Sequence, residues 1–136
     1  MKPEARFIKS VHDQLHPDVY REKMFNPMRG GTPDCYYMGF ADDLWVEYKW
    51  VKKIGPKPDL SPLQAAWLMR ASDRGHAPWV VVGSPAGLVV LRTPLMWGAR
   101  VPDQLISKQE LARSIEHRCG LESSAGQRSP RGISTR

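Results

Sequence analysis

The sequence predicts an α/β fold, a small mixed β-sheet flanked by helices on both faces. Three observations predict it. An amphipathic stretch opens the chain, three runs rich in aromatic and β-branched residues follow, and a strongly capped helix separates them from a second pair of apolar runs. At 136 residues there is room for one domain. We expect it over residues 1–119, with a disordered tail over 120–136. From Glu122 onward the chain has four Ser, three Arg, two Gly and a single branched aliphatic, Ile133, too little to repay ordering.

Residues 3 to 15 read as the first helix, because Phe7, Ile8, Val11 and Leu15 recur at spacings of three and four and Pro3 suits a first turn. Glu4 lies on that apolar stripe, so its carboxylate should point inward, although a first-turn acid is also favoured by the helix dipole alone. His16-Pro17-Asp18 ends the helix. A strand is expected near Val19 to Phe25, a loop over Asn26 to Thr32, and strands over Asp34 to Met38 and Leu44 to Val51 joined by a hairpin at Gly39 to Asp42. After the Gly/Pro/Lys connection Ile54 to Pro58, Ser61 caps a helix, with Pro62 at its first position and Gln64 closing a capping box. That helix runs to about Arg74, where Gly75 stops it. Apolar strands over Pro78 to Gly83 and Leu88 to Arg92, then a helix near Ser107 to Arg118, complete the domain.

Composition narrows the function. Hydrophobic residues at 41% and charged residues at 25% are ordinary for a globular chain. No run approaches a membrane span and no secretory signal opens the sequence, so a soluble cytoplasmic protein is expected, with no membrane partner. Cys35 and Cys119 lack any partner spacing and read as reduced thiols. Twenty Lys and Arg against fourteen Asp and Glu leave +6, which points to a polyanionic partner, nucleic acid first. Lys49, Lys52, Lys53 and Lys57 fall between Glu47 and Asp59 with no acid among them, a run that a solvated loop would also explain.

The informative segments are Gly31-Thr32-Pro33-Asp34 and, thirteen residues later, Glu47-Tyr48-Lys49. If the hairpin loop has four residues, Met38 faces Asp43 and Asp34 falls opposite Glu47. Alternation puts Lys49 on the same face and sends Val46 and Tyr48 to the other. Paired carboxylates in a strand flanked by Trp45, Val46 and Trp50 should repel and lose solvation. A hard divalent cation such as Mg²⁺ compensates best, because it takes carboxylate and carbonyl oxygens plus water. The competing explanation is a surface hairpin whose acids pair with lysines, and those bulky apolar neighbours weigh against it.

At these residues the chain resembles the PD-(D/E)XK nuclease superfamily, and within it the virus-type replication-repair nuclease (VRR-NUC) branch. That branch has Gly-x-Pro-Asp, then Glu-x-Lys, then a Gln at the start of the following helix, matched here by Gly31 to Asp34, Glu47 to Lys49 and Gln64. The likeness runs over roughly residues 3 to 92 and ends on the Trp79-Val80-Val81-Val82 strand. It implies a restriction-endonuclease-like core of order α-β-β-β-α-β.

It also implies an enzyme, a divalent-metal-dependent endodeoxyribonuclease that hydrolyses phosphodiester bonds by in-line attack of water, with 5′-phosphate products. Asp34 and Glu47 would ligate Mg²⁺, with Mn²⁺ able to substitute, joined by the Tyr48 carbonyl and by Glu4 from the first helix. Lys49 would orient the water or stabilise phosphate charge. Gln64 is either a catalytic residue or only a capping one. Lys52, Lys53 and Lys57 would hold the nucleic-acid backbone, and no motif for reading base sequence is present. Stand-alone members of the branch are similar to Holliday-junction-resolving enzymes, which implies branched DNA as partner and a homodimer to match a two-fold junction. Trp67, Trp79 and Trp97 are available for core or interface. Two other readings compete: a non-catalytic nucleic-acid-binding module with the nuclease fold, and a basic adaptor protein with no metal dependence. The intact Asp-Glu-Lys pattern argues against the first.

Overall fold

The computed structural model describes residues 1–25, 30–98, 101 and 104–121. In chain order its elements are α1 (Pro3–Gln14), β1 (Tyr20–Lys23), β2 (Cys35–Met38), β3 (Asp43–Trp50), α2 (Pro62–Asp73), β4 (Trp79–Ser84), β5 (Gly87–Leu91), α3 (Pro94–Gly98) and α4 (Lys108–Arg118). The strands form one mixed sheet in sequence order. β1, β2 and β3 are an antiparallel meander, β3 and β4 are parallel, and β4 and β5 form an antiparallel hairpin. A parallel step cannot be made by a tight turn, and α2 supplies the crossover. β3 is thereby the middle strand, paired on both edges.

The sheet is covered on both faces, as its sequence predicts. Leu44, Val46 and Tyr48 of β3 point to one face and pack with Phe7, Ile8 and Val11 of α1 and Leu111, Ala112 and Ile115 of α4. Val80, Val82, Val89 and Leu91 point to the other and pack with Leu68 of α2 and Trp97 of α3. Phe7 lies so close to the sheet that a Cβ on Gly83 would stand 2.6 Å from its ring and would have to push the ring aside. Trp79 and Trp97 are both buried, Trp97 donating its indole N–H to the Leu91 carbonyl at 3.0 Å, whereas Trp67 is half-buried against Trp45. Both cysteines are free and buried.

Element edges move by a residue or two from expectation, and two differences have physical causes. The first strand is shorter than residues 19–25. Arg21 donates to the carbonyls of His12, His16 and Val19, folding the start of that segment back under α1, while Phe25 is 87% exposed beyond its end. The one-turn helix α3 was not expected. Its cap is legible afterwards, since Thr93 Oγ1 accepts from Met96 N at 3.4 Å and Pro94 follows it, yet five residues are too few for a periodic signal. Of the expected tail over 120–136, Gly120 and Leu121 are described, Leu121 buried in the core with its N–H donated to the Glu116 carbonyl; the remainder, and positions 26–29 of the expected loop, lie outside the described residues. Among the described residues no helix is long and apolar enough to cross a membrane.

Candidate active site

The hairpin register is the one the sequence predicts: Met38 pairs with Asp43 and Cys35 with Val46, so Asp34, one step further back, stands opposite Glu47. Lys49 pairs with Val82 and Glu47 with Val80 on β4, which puts both on the α2 face of the sheet. Asp34 Oδ2 accepts the backbone N–H of Tyr48 at 2.9 Å, tying the loop before β2 to the middle of β3. The Tyr48 side chain, pointing the opposite way, is fully buried and shares a hydrogen bond of 2.7 Å with Tyr37 Oη, which in turn meets His12 Nε2 at 2.7 Å. This three-residue chain anchors the backbone of the central site strand from behind. Nothing in the residue pattern marks it in advance.

Gln64 is placed by the first turn of α2 and reaches across to β3. Its Oε1 accepts from Lys49 Nζ and from the backbone N–H of Ser61, each at 2.9 Å. Both are obligate donors, so the amide nitrogen is the atom left for Glu47, and Nε2 donates to Glu47 Oε2 at 2.9 Å. Lys49 Nζ stands 3.7 Å from that same oxygen. Capping and site contact, alternatives at the level of sequence, are thus made by one side chain at once.

This first turn is held over the site by a close approach. Gly31 has φ +96 and sits against the α2 backbone; a Cβ there would lie 2.5 Å from the Leu63 carbonyl oxygen. Gly31 is therefore the residue that lets the loop bearing Asp34 and the helix bearing Gln64 meet.

Glu47 is 3% exposed, and its Oε1 is buried with no hydrogen-bond partner among the described residues. Burial first, and the Asp34 charge second, push its carboxyl up to about 8, against the pull of Lys49. Asp34 is raised as well, chiefly by burial, with the Tyr48 N–H, Lys23 and Lys49 opposing. Glu4, at the start of α1, is half-buried and raised by burial and then by Asp34. Lys49 and the Trp50 backbone N–H pull it down. Lys23, on β1 opposite Cys35, contributes positive charge to both acids and was missed at the level of sequence, where nothing marks one strand lysine among several. Lys52, Lys53 and Lys57 are exposed on the connection between β3 and α2.

An orphaned carboxylate oxygen beside a second carboxylate fits a bound cation, which would satisfy it without protonation. The donors are all oxygens, the set a hard divalent ion prefers. Among the described residues no three His, Cys, Asp or Glu gather closely enough to hold a metal by themselves. Glu4 is thus not drawn into one ligand group with Asp34 and Glu47, and the set fits Mg²⁺, which keeps several waters, better than an all-protein cage.

The fold is similar to that of a Holliday junction resolvase. Its sheet and helices superpose on Hjc from the hyperthermophilic archaeon Archaeoglobus fulgidus with a TM-score of 0.53, covering 82% of this chain and 97% of that one at 13% identity. At that identity the likeness is one of fold. No protein-family model and no curated protein matches the sequence. The resolvase fold agrees with the restriction-endonuclease-like core expected from the motifs, while the VRR-NUC assignment rests on the sequence motifs alone.

Proposed function

We propose that this protein is a divalent-metal-dependent DNA endonuclease that acts on branched DNA, four-way junctions among them. The observation that carries the reading is the Asp34, Glu47, Lys49 and Gln64 cluster in the middle of a resolvase fold, with Glu47 Oε1 buried and unsatisfied. A structural ion pair would satisfy both its oxygens; this one leaves an acceptor facing a second acid.

Asp34, Glu47 and the Tyr48 carbonyl are the groups that would hold Mg²⁺, or Mn²⁺ in its place, with Glu4 of the first helix as a further carboxylate near Asp34. When bound, the ion supplies charge for the phosphate in the transition state and acidifies water. The remaining work belongs to the chain. The Tyr48 N–H fixes the Asp34 carboxylate. Gln64 fixes the Glu47 carboxylate by one oxygen and holds the Lys49 ammonium beside it, so that neither turns away when substrate arrives. Lys49 then stabilises negative charge on the phosphate or orients the attacking water. Lys52, Lys53 and Lys57 hold phosphates further along the backbone, which positions the duplex without reading bases.

A four-way junction is two-fold symmetric and needs paired incisions, so we infer a homodimer on that substrate. The test is a panel of labelled four-way junctions, flaps, nicked and intact duplexes with Mg²⁺ or Mn²⁺, run beside Glu47→Gln. Metal-dependent incision of branched substrates, lost in the variant, is the expected result. Mn²⁺ binding by calorimetry without any incision would favour a binding module with the nuclease fold; no metal binding at all would favour a basic adaptor.

A further inference from the structure

Around the N-terminus of α1 from the acid cluster, on the opposite face of the sheet, two adjoining grooves meet at Trp50 and Lys108. One is about 640 Å³, walled by Pro3, Phe7 and Trp50 with Arg6 and Lys9 on its rim. The other, about 570 Å³, runs past the β4–β5 turn to the start of α4. Trp50 is the last residue of β3, three beyond Glu47 and one beyond Lys49. Its indole is half-buried, propped at 5.1 Å and 42° against the Phe7 ring, with surface left open to the groove. Arg6, Lys9 and Lys108 are exposed; among the described residues only Lys9 has an ion-pair partner, Asp13 at 3.2 Å, while Arg6 donates to the Met1 carbonyl at 2.7 Å, so the lining carries a positive surplus over one acid. Glu4 in α1's first turn feels the Asp34 charge, while Pro3, Arg6 and Phe7 of the same helix end line the groove.

An aromatic face braced by a second ring, with cations at its rim, is what an unpaired nucleic-acid strand requires. Bases stack on such faces whatever their identity, and the backbone follows the charges. The geometry points to a binding site for single-stranded nucleic acid in this groove, a base stacked on Trp50 and the adjacent phosphates held by Arg6 and Lys108. A duplex is too broad to bring a base face onto a recessed indole. The inference rests on the nuclease reading for its meaning, since it makes DNA bearing an unpaired strand the substrate class, but the binding it asserts does not depend on turnover.

The test is fluorescence anisotropy of labelled oligothymidylate and of an abasic oligomer of equal length, both in EDTA, with the full chain. Wild type should bind the thymidylate more tightly. Trp50→Leu, which keeps an apolar side chain against Phe7, should weaken thymidylate roughly tenfold or more while leaving the abasic strand within twofold. Equal losses on both strands, or none, overturn the proposal, as does an absence of thymidylate binding by wild type at low salt. If Trp50→Leu fails to fold, Arg6→Gln with Lys108→Gln carries the test. Both positions are exposed, and their loss should shrink the slope of log affinity against log salt by about 1.4, the value for two phosphate contacts on a single strand. An unchanged slope overturns the proposal. Failure of the nuclease reading shows instead as no incision of any DNA with Mg²⁺, an outcome that these metal-free affinities do not share.

Discussion

Gln64 Nε2 donates to Glu47 Oε2 at 2.9 Å, so a helix-capping residue is also the clamp on the most buried acid of the site. The same amide oxygen accepts from Lys49 and from Ser61 N. The prediction separates these duties. Gln64→Ala should lose the Gln64 half of the capping box, costing about 1 kcal/mol, and should also cut cleavage ~10-fold to 100-fold by freeing Lys49 and Glu47. Gln64→Glu keeps an Oε acceptor for Ser61 N and Lys49 but replaces the donor facing Glu47 with a second carboxylate. Its thermal stability should stay nearer wild type while cleavage falls as far. Wild-type rates in Gln64→Glu, measured on the best junction substrate, would reduce Gln64 to a cap.

Asp34→Asn, Glu47→Gln and Lys49→Ala should each lower the cleavage rate by at least ~100-fold, the scale of losing one essential electrostatic group. Junction affinity should largely survive in gel-shift assays, because the lysines proposed to hold phosphates, Lys52, Lys53 and Lys57, are elsewhere. Glu4→Gln should be milder, since Glu4 is only half-buried and is not gathered with the other two acids. A folded variant of any of the first three with full activity removes that residue from the mechanism.

Much of this site is legible in the sequence because strand registers propagate. Once Gly39 to Asp42 make the turn, Met38 must meet Asp43, and every later pair, including Asp34 with Glu47, follows by counting. The same logic fails for Lys23, whose strand joins β2 through a long connection that sets no register by its length. The dual role of Gln64 needed the distance between α2 and β3, a tertiary quantity. The groove at Trp50 was hidden for a related reason: helix α1, the β4–β5 turn and the start of α4 are far apart in the chain, and only their packing makes a wall.

The raised Glu47 carboxyl gives a pH signature. Its folded value of about 8 exceeds its ordinary 4.5, so the folded state holds a proton that the unfolded chain releases. Stability is then fully present below about pH 4.5 and is lost as pH rises through 8. Raised Asp34 and Glu4 act in the same direction. Metal-free protein should therefore lose melting temperature between pH 5 and 8.5, and Glu47→Gln should flatten most of that loss. On the proposed reading Mg²⁺ would compete with the proton, so its stabilising effect and its calorimetric affinity should grow with pH over the same interval. A metal-free melting curve independent of pH would mean that Glu47 is ionised and satisfied in the folded state.

The last prediction concerns Gly31, which brings two site elements together through its backbone alone. Gly31→Ala meets two penalties: φ +96 is unfavourable for any residue with a Cβ, and that Cβ would lie 2.5 Å from the Leu63 carbonyl oxygen, which belongs to the first turn of α2 and has little freedom to retreat. The backbone penalty alone is ~1–3 kcal/mol. Because Leu63 precedes Gln64, any displacement that relieves the clash moves the Glu47 clamp, so activity should fall even in molecules that stay folded. Cleavage measured at 15 °C, well below the melting transition, isolates this effect from unfolding. A variant destabilised by that amount yet fully active at 15 °C would show that the Asp34 loop and α2 can separate without loosening Glu47. A variant as stable as wild type would mean that the close approach at Leu63 is relieved at no cost.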